Sequence, residues 1–278
     1  MVLDTFCGID ISTPRIMGIL NVTPDSFSDG GKHFDLDEAV ARATNMVAEG
    51  ADIIDIGGES TRPGADFIPA DEEIRRTVPV IKAIRASGLT TTISIDTRKA
   101  EVARAAIEAG ANLFNDVSAL SFDPDSLATA AELNTSVCIM HATGDPKTMQ
   151  NEAVYKDILQ EVYDYLENRI EACVAAGITP NKIMIDPGIG FGKTQAHNLT
   201  LLRDIAKFHT LGCPILLGVS RKRFIGTIGN EPDPARRTAG SIAVGLAAIN
   251  QGVQILRVHD IRETKQAIAV WMAVQKNS

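Results

Sequence analysis

The stretch that decides the fold is Ile183-Met-Ile-Asp-Pro-Gly-Ile-Gly-Phe-Gly-Lys193. A short apolar run ends in a carboxylate, Asp186, and then enters a loop that is rich in glycine. A run that is apolar at every position, rather than at alternate positions, is typical of a parallel strand buried on both faces. The stretch therefore predicts a central strand that presents a charged group at its carboxyl end.

Seven other short apolar runs have the same form, and amphipathic segments separate them along the whole chain. Such alternation favours either a (β/α)₈ barrel or a doubly wound sheet. Eight strands are the number that closes a barrel, so we expect a single TIM-barrel domain over residues 1–278. The predicted strands are Ile16–Leu20, Ile53–Ile56, Thr92–Ile95, Leu113–Phe114, Val137–Met140, Ile183–Ile185, Ile215–Val219 and Ile255–Val258. The predicted helices are Asp37–Glu49, Asp71–Ala86, 99–109, 126–133, Tyr155–Ala176, Ala235–Gln251 and Ile261–Gln275.

Composition narrows the classes of function. The formal net charge of −8 argues against nucleic-acid binding, which needs a broad basic surface. No apolar run approaches the roughly 20 residues of a membrane span, and no basic segment precedes an apolar core at the N-terminus. The four cysteines match no metal-ligand spacing and are typical of reduced thiols. We expect a cytoplasmic protein with neither nucleic-acid nor membrane partners.

A polar side chain stands at the end of each predicted strand. A barrel brings these ends together on one face, where active sites of this architecture lie. One set accepts hydrogen bonds and a second set is cationic: Asp96, Asn115 and Asp186, then Arg62, Lys222, Arg257 and His259, with Arg221 and Arg223 adding to the basic cluster. Carboxylates suit the N–H groups of a flat heterocycle, and cations suit a phosphate tail. Guanine and pterin compounds both fit such a pocket.

Seven motifs, in order along the chain, resemble those of one known family, the dihydropteroate synthases. These enzymes belong to folate biosynthesis and are the target of sulfonamides. The resemblance begins near residue 14 and continues to the C-terminus. The motifs are Asn21-Val-Thr-Pro-Asp-Ser-Phe-Ser-Asp-Gly-Gly31, Gly58-Glu-Ser-Thr-Arg-Pro-Gly64, Asp96-Thr97, Phe114-Asn-Asp-Val117, Asp186-Pro-Gly-Ile-Gly-Phe-Gly-Lys193, Ser220-Arg-Lys222 and Arg257-Val-His-Asp260.

The resemblance implies a transferase that is a homodimer of (β/α)₈ barrels and requires Mg²⁺. The implied reaction condenses 6-hydroxymethyl-7,8-dihydropterin diphosphate with 4-aminobenzoate, giving 7,8-dihydropteroate and diphosphate. Its mechanism is dissociative, so that diphosphate leaves before the amine attacks. The protein would then act by electrostatic stabilisation and positioning rather than through a nucleophile.

The resemblance also implies roles for individual residues. The pterin would be bound by Asp96, Asn115, Asp186, Lys222 and Arg257, with Met140 and Phe191 packed on the ring. The diphosphate would be bound by Asn21, Arg62, Arg257 and His259, with Asn21 also a ligand of Mg²⁺. The 4-aminobenzoate site would comprise Phe27, Ser28, Thr61, Pro63, Lys222 and Arg223. The residues that act in catalysis would be Asp29, Arg62, Lys222, Arg257 and His259. Arg223 is a departure, because many relatives have serine there.

Three other functions are weighed against this one. A methyltetrahydrofolate-binding corrinoid methyltransferase shares the pterin pocket but has no diphosphate to bind, which leaves the cationic strand ends unexplained. A non-catalytic pterin-binding paralogue is expected to have lost Asn21, Arg62 or His259, and all three are present. An unrelated phosphate-binding barrel would leave the acidic strand ends without a role. The sequence favours the synthase.

Overall fold

The computed structural model describes residues 4–22, 36–60, 67–144 and 153–276. Within these residues, two strands form a short hairpin and eight parallel strands form one sheet. The hairpin strands are β1 (Thr5–Phe6) and β2 (Ile9–Asp10). The parallel strands are β3 (Arg15–Asn21), β4 (Ile53–Gly57), β5 (Thr92–Asp96), β6 (Leu113–Asp116), β7 (Ser136–Met140), β8 (Ile183–Asp186), β9 (Leu216–Leu217) and β10 (Ile255–Val258). The helices are α1 (Leu36–Ala48), α2 (Ala70–Ala86), α3 (Ala100–Glu108), α4 (Ser126–Glu132), α5 (Ile158–Ala175), α6 (Gln195–Arg203), α7 (Arg223–Ile228), α8 (Thr238–Ile249) and α9 (Ile261–Lys276).

The sheet closes on itself. Its strand order is β8-β7-β6-β5-β4-β3-β10-β9, so β8 and β9 stand at its two ends. A parallel bridge between Ile185 and Ile215 joins those ends, and the Ile185 amide donates to the Pro214 carbonyl at 2.9 Å. The closed parallel sheet with helices outside it confirms the expected (β/α)₈ barrel.

Apolar side chains divide the core into an outer and an inner part. The outer part lies between strands and helices, and Ile56 and Ile95 belong to it. The inner part fills the barrel near the amino ends of the strands, where Met17 and Ile53 are fully buried. Phe6 of the hairpin packs with this inner cluster. The inner layer therefore leaves the carboxyl ends of the strands for polar groups.

The structure differs from the sequence prediction in several elements. The hairpin was not predicted, because strands of two residues are too short to show a periodic pattern. Helix α6 was missed because its apolar residues do not form a clear stripe, and α7 because it has only six residues. Helix α5 begins at Ile158, since Asp157 caps it by accepting from the amides of the next turn. In the described ranges, no helix combines the length and apolarity that crossing a bilayer requires.

Candidate active site

The predicted site residues that the structure describes lie at the carboxyl ends of the strands. Several end a strand or follow one directly: Asn21 ends β3, Asp96 ends β5, Met140 ends β7, Asp186 ends β8 and His259 follows β10, while Asn115 and Arg257 lie inside β6 and β10. Lys222 directly precedes α7, and Phe191 lies in the loop after β8. The expected roles of Phe27, Ser28, Asp29, Thr61, Arg62 and Pro63 fall on residues outside the described ranges.

Arg257 lies between two carboxylates. Its Nε donates to Asp55 Oδ2 at 2.6 Å, and its Nη2 donates to Asp96 Oδ2 at 2.7 Å. Burial opposes the charge of the guanidinium, but the two carboxylates outweigh burial and raise the pKa of Arg257 above its usual value. Arg257 is therefore a fixed cation in the wall of the barrel mouth.

Asp55 is a site residue to which the sequence analysis gave no role. Besides Arg257, its carboxylate accepts from the Nδ2 of Asn115, 3.4 Å from each oxygen. A carboxylate can only accept, so the amide nitrogen of Asn115 must face Asp55 and its oxygen must face away. Asp55 is fully buried, and it interrupts the otherwise aliphatic strand Ile53–Gly57. A charged residue inside such a strand was the signal that could have identified it.

Asp96 has one oxygen without a partner. Oδ2 accepts from Arg257, whereas Oδ1 is buried and has no hydrogen-bond partner among the described residues. Burial raises the pKa of Asp96 to about 7; Arg257 opposes this rise and Asp55 adds to it. An unpaired buried acceptor costs about 1–3 kcal/mol. The site is therefore complementary to a ligand that donates a hydrogen bond at this point.

Close to Arg257, the carboxylate of Asp186 interacts with the charge of Lys222, whose ammonium lies beside an aromatic ring. Burial raises the pKa of Asp186, opposed by the Gly188 amide, which donates to Oδ1 at 2.7 Å, and by the charge of Lys222. Burial lowers the pKa of Lys222 to about 8, and Asp186 opposes that shift. The Lys222 ammonium lies 4.1 Å from the centroid of the Phe191 ring, which is within cation–π range.

His259 and Ser220 hold each other at the ends of neighbouring strands. Ser220 Oγ accepts from the His259 backbone amide at 3.2 Å and lies 3.0 Å from its Nδ1. When the hydroxyl donates to Nδ1, the ring proton stands on Nε2, the form that donates to an anionic oxygen.

Fewer of the predicted basic residues lie among the acidic strand ends than the sequence suggested. Arg221 pairs with Asp260, its Nε donating at 3.1 Å, so its charge is already compensated. Arg223 is exposed and begins α7. The cations that the described structure places among the acidic strand ends are Lys222 and Arg257.

Comparison with known proteins identifies the family. The model of the family described as pterin binding enzyme matches residues 17–259. The dihydropteroate synthase of Escherichia coli strain K12 is 48% identical over 262 residues, which cover 94% of this chain and 92% of that protein. A structure of Xanthomonas albilineans dihydropteroate synthase with 4-aminobenzoic acid superposes with a TM-score of 0.90 at 46% identity, covering 96% of this chain and 95% of that one. A Yersinia pestis dihydropteroate synthase in a sulfonamide drug complex gives the same TM-score and identity, with 96% of each chain covered.

The chain belongs to the dihydropteroate synthase family. Membership confirms the expectation drawn from the seven motifs, including a transferase activity in folate biosynthesis. It also favours the synthase over the corrinoid methyltransferase, because the relatives share nearly the full length of this chain rather than the pterin pocket alone.

The family implies a Mg²⁺ ion, which Asn21 would hold. Gly57 lies directly beside Asn21, since a Cβ there would be in van der Waals contact with Asn21 Oδ1 at 3.8 Å and with Asp96 Cβ at 3.7 Å. Within the described ranges, no cluster of three or more His, Cys, Asp or Glu side chains could hold a metal. One neutral amide oxygen suits Mg²⁺, which keeps several waters and takes phosphate oxygens from its substrate. The residues present therefore fit a Mg²⁺ ion that arrives with a diphosphate.

Proposed function

We propose that this dihydropteroate synthase homologue joins 6-hydroxymethyl-7,8-dihydropterin diphosphate to 4-aminobenzoate by a dissociative mechanism. The observation that carries the proposal is the arrangement at Arg257. The guanidinium is fixed by Asp55 and Asp96, and Asp96 keeps a second, buried oxygen for a hydrogen-bond donor. A pterin supplies such donors, and its diphosphate requires such a cation.

The pterin edge would be recognised by groups of opposite hydrogen-bonding character. Asp96, Asn115 and Asp186 would accept from the ring N–H and amino groups, while Lys222 would donate to the ring carbonyl. The orientation that Asp55 imposes on Asn115 supports this assignment, because it leaves the amide oxygen as the acceptor. Met140, which is buried at the end of β7, and Phe191 would pack against the ring.

The diphosphate would lie against the cationic strand ends. Arg257 and His259 would donate to its oxygens, together with Arg62, and Asn21 would hold the Mg²⁺. When bound, the ion offsets negative charge on the diphosphate. The fixed position of Arg257 supports this role, because a cation already oriented by two carboxylates needs little reorganisation as charge develops on the leaving group.

The chemistry would proceed in two balanced steps. The bond between the pterin methylene carbon and the diphosphate oxygen breaks, and its electron pair leaves with the diphosphate. The amine of 4-aminobenzoate then supplies the pair for the new carbon–nitrogen bond and loses a proton to water. Asp29 would stabilise the intermediate cation. Phe27, Ser28, Thr61, Pro63, Lys222 and Arg223 would form the 4-aminobenzoate site, a ligand that the Xanthomonas relative binds.

We also propose that the protein is a cytoplasmic homodimer. Ile228 on α7 and Val270 and Val274 on α9 are exposed apolar side chains that a second copy could cover. Sedimentation velocity of the purified protein measures the assembly, and a monomer over the working concentration range would contradict it.

A product assay tests the proposed function. Dihydropterin diphosphate is incubated with Mg²⁺ and with or without 4-aminobenzoate, and diphosphate and dihydropteroate are quantified. We expect dihydropteroate only with both substrates. Arg257→Met should abolish its formation, whereas Arg203→Met, which changes an exposed arginine paired with Asp204, should not. Absence of dihydropteroate from the wild-type protein would refute the proposal, and methyl transfer to a corrinoid would replace it.

A further inference from the structure

The glycine-rich loop after β8 folds around a buried lysine. Lys193 is 3% exposed, and its ammonium donates to the carbonyls of Gly188 at 2.9 Å, Phe191 at 3.0 Å and His141 at 3.1 Å. The same nitrogen lies 2.8 Å from His141 Nδ1. Four acceptors thus surround a group with three N–H donors. The role assigned to this site above does not use Lys193.

The partner histidine can only accept here. Burial and, to a smaller extent, the charge of Lys193 lower the pKa of His141 to about 3. The imidazole is therefore neutral, and its Nδ1 accepts a hydrogen bond from the ammonium. Burial also lowers the pKa of Lys193 to about 7, against the opposing charge of Asp186. Such a costly buried group calls for a specific role.

The backbone of the loop is shaped so that its carbonyls point at this ammonium. Gly188, Gly190 and Gly192 have φ angles of +70°, +86° and +59°, which favour glycine. A Cβ on Gly188 would lie 1.8 Å from the His141 carbonyl oxygen, and one on Gly190 would lie 3.1 Å from Lys222 Cδ. The loop therefore packs between the end of β7 and Lys222, and the ammonium of Lys193 binds the carbonyls inside it.

We propose that Lys193 is a positioning residue of the pterin subsite: by holding the Phe191 carbonyl, its ammonium sets the Phe191 ring against Lys222. The inference rests on the proposed pterin-binding function. Two observations carry it, namely the hydrogen bond from Lys193 to the Phe191 carbonyl and the 4.1 Å contact between the Lys222 ammonium and the Phe191 ring. Removing the ammonium releases the backbone that carries the ring, while Lys222 and Asp186 keep their own side chains.

Binding of pteroic acid, measured by calorimetry, tests this role without relying on turnover. Lys193→Met keeps the length of the side chain but removes its donors. We expect its dissociation constant to rise about tenfold, which lies within the range of one lost cation–π contact. KM for the dihydropterin diphosphate should rise, whereas KM for 4-aminobenzoate should stay unchanged. Lys82→Met, a change of an exposed lysine on α2, is the control and should alter neither.

A double-mutant cycle separates positioning from general loosening. If Lys193 acts through the aromatic ring, Lys193→Met should weaken pteroic acid binding much less in a Phe191→Ala background than in the wild type. Equal effects in both backgrounds, or unchanged affinity in a folded Lys193→Met protein, would overturn the inference. Should Lys193→Met not fold, Lys193→Gln, which retains two donors, should show an intermediate loss with the same KM pattern. Failure of both variants to fold would overturn it in favour of a purely structural lysine. A wild-type protein that does not bind pteroic acid would contradict the proposed function itself.

Discussion

Replacing Asp55 by asparagine tests whether this buried carboxylate positions Arg257 and Asn115, two residues that are proposed to bind the substrate. The substitution keeps the shape of the side chain but removes the charge that receives Arg257 Nε at 2.6 Å. Arg257 keeps its second partner, Asp96 Oδ2 at 2.7 Å, so its charge is not left unpaired. The expected cost is therefore that of one charge-assisted hydrogen bond, about 1.5–3 kcal/mol, rather than the larger cost of a broken buried pair.

We expect this cost mainly in catalysis. It corresponds to a fall in kcat/KM for the dihydropterin diphosphate of roughly 10- to 150-fold. Asn115 should contribute as well, because an asparagine at position 55 no longer forces its amide orientation. Thermal unfolding should change little, since Asp55→Asn also removes the repulsion between two buried carboxylates. Initial rates and melting curves are compared with those of Asp204→Asn, which changes a partly exposed aspartate that pairs with Arg203. Wild-type kcat/KM in the folded variant would refute the reasoning.

Three further predictions concern the same site. Lys222→Ala and Asp186→Ala should each weaken pteroic acid binding by about tenfold or more, the value of a hydrogen bond to a charged group, as calorimetry will show; unchanged affinity in both would contradict the pocket assignment. The pKa of Asp96 is raised to about 7, so the ionised fraction of Asp96, which accepts with both oxygens, grows as pH rises through that value. The affinity for pteroic acid should therefore rise from pH 6 to pH 8, and Asp96→Asn should abolish the rise. Chelation with EDTA should stop dihydropteroate formation until Mg²⁺ is restored, and Asn21→Ala should increase the Mg²⁺ concentration required for half-maximal rate.

The barrel was predictable because the sequences of its strands have a recognisable pattern. Strands buried on both faces are short and apolar throughout, and the predicted and observed bounds of β4 and β10 differ by at most one residue. β9 is the exception, since only Leu216–Leu217 of the predicted Ile215–Val219 pairs as a strand. The neighbouring Ile215 instead makes the single bridge that closes the sheet. Strand length at a closure depends on the geometry of the whole ring, which a local pattern does not contain.

The acidic strand ends were also predictable, because a carboxylate or amide at the end of an apolar run is visible in the sequence. The cations that pair with these acidic residues were not predictable. Whether Arg221 or Arg257 faces the barrel mouth depends on which carboxylate lies nearest to each in space. Asp260 forms an ion pair with Arg221. The role of Asp55 depends on Arg257, which lies 202 positions away in the chain. Residues that act through other residues leave no motif of their own.

The balance of charges in the barrel mouth indicates how the two parts of the proposed substrate, the pterin and the diphosphate, would be bound. In the described mouth of the barrel, Arg257 binds the carboxylates of Asp55 and Asp96, and the charges of Lys222 and of the buried Lys193 act on Asp186. Burial shifts the pKa of Asp96 and of Lys193 towards the neutral form, so this region carries little net charge and suits an uncharged pterin ring. A diphosphate adds negative charge that Arg257 alone does not offset, because Asp55 and Asp96 already balance its guanidinium. The roles proposed for His259, Arg62 and Mg²⁺ alongside Arg257 would supply the remaining positive charge that the diphosphate needs.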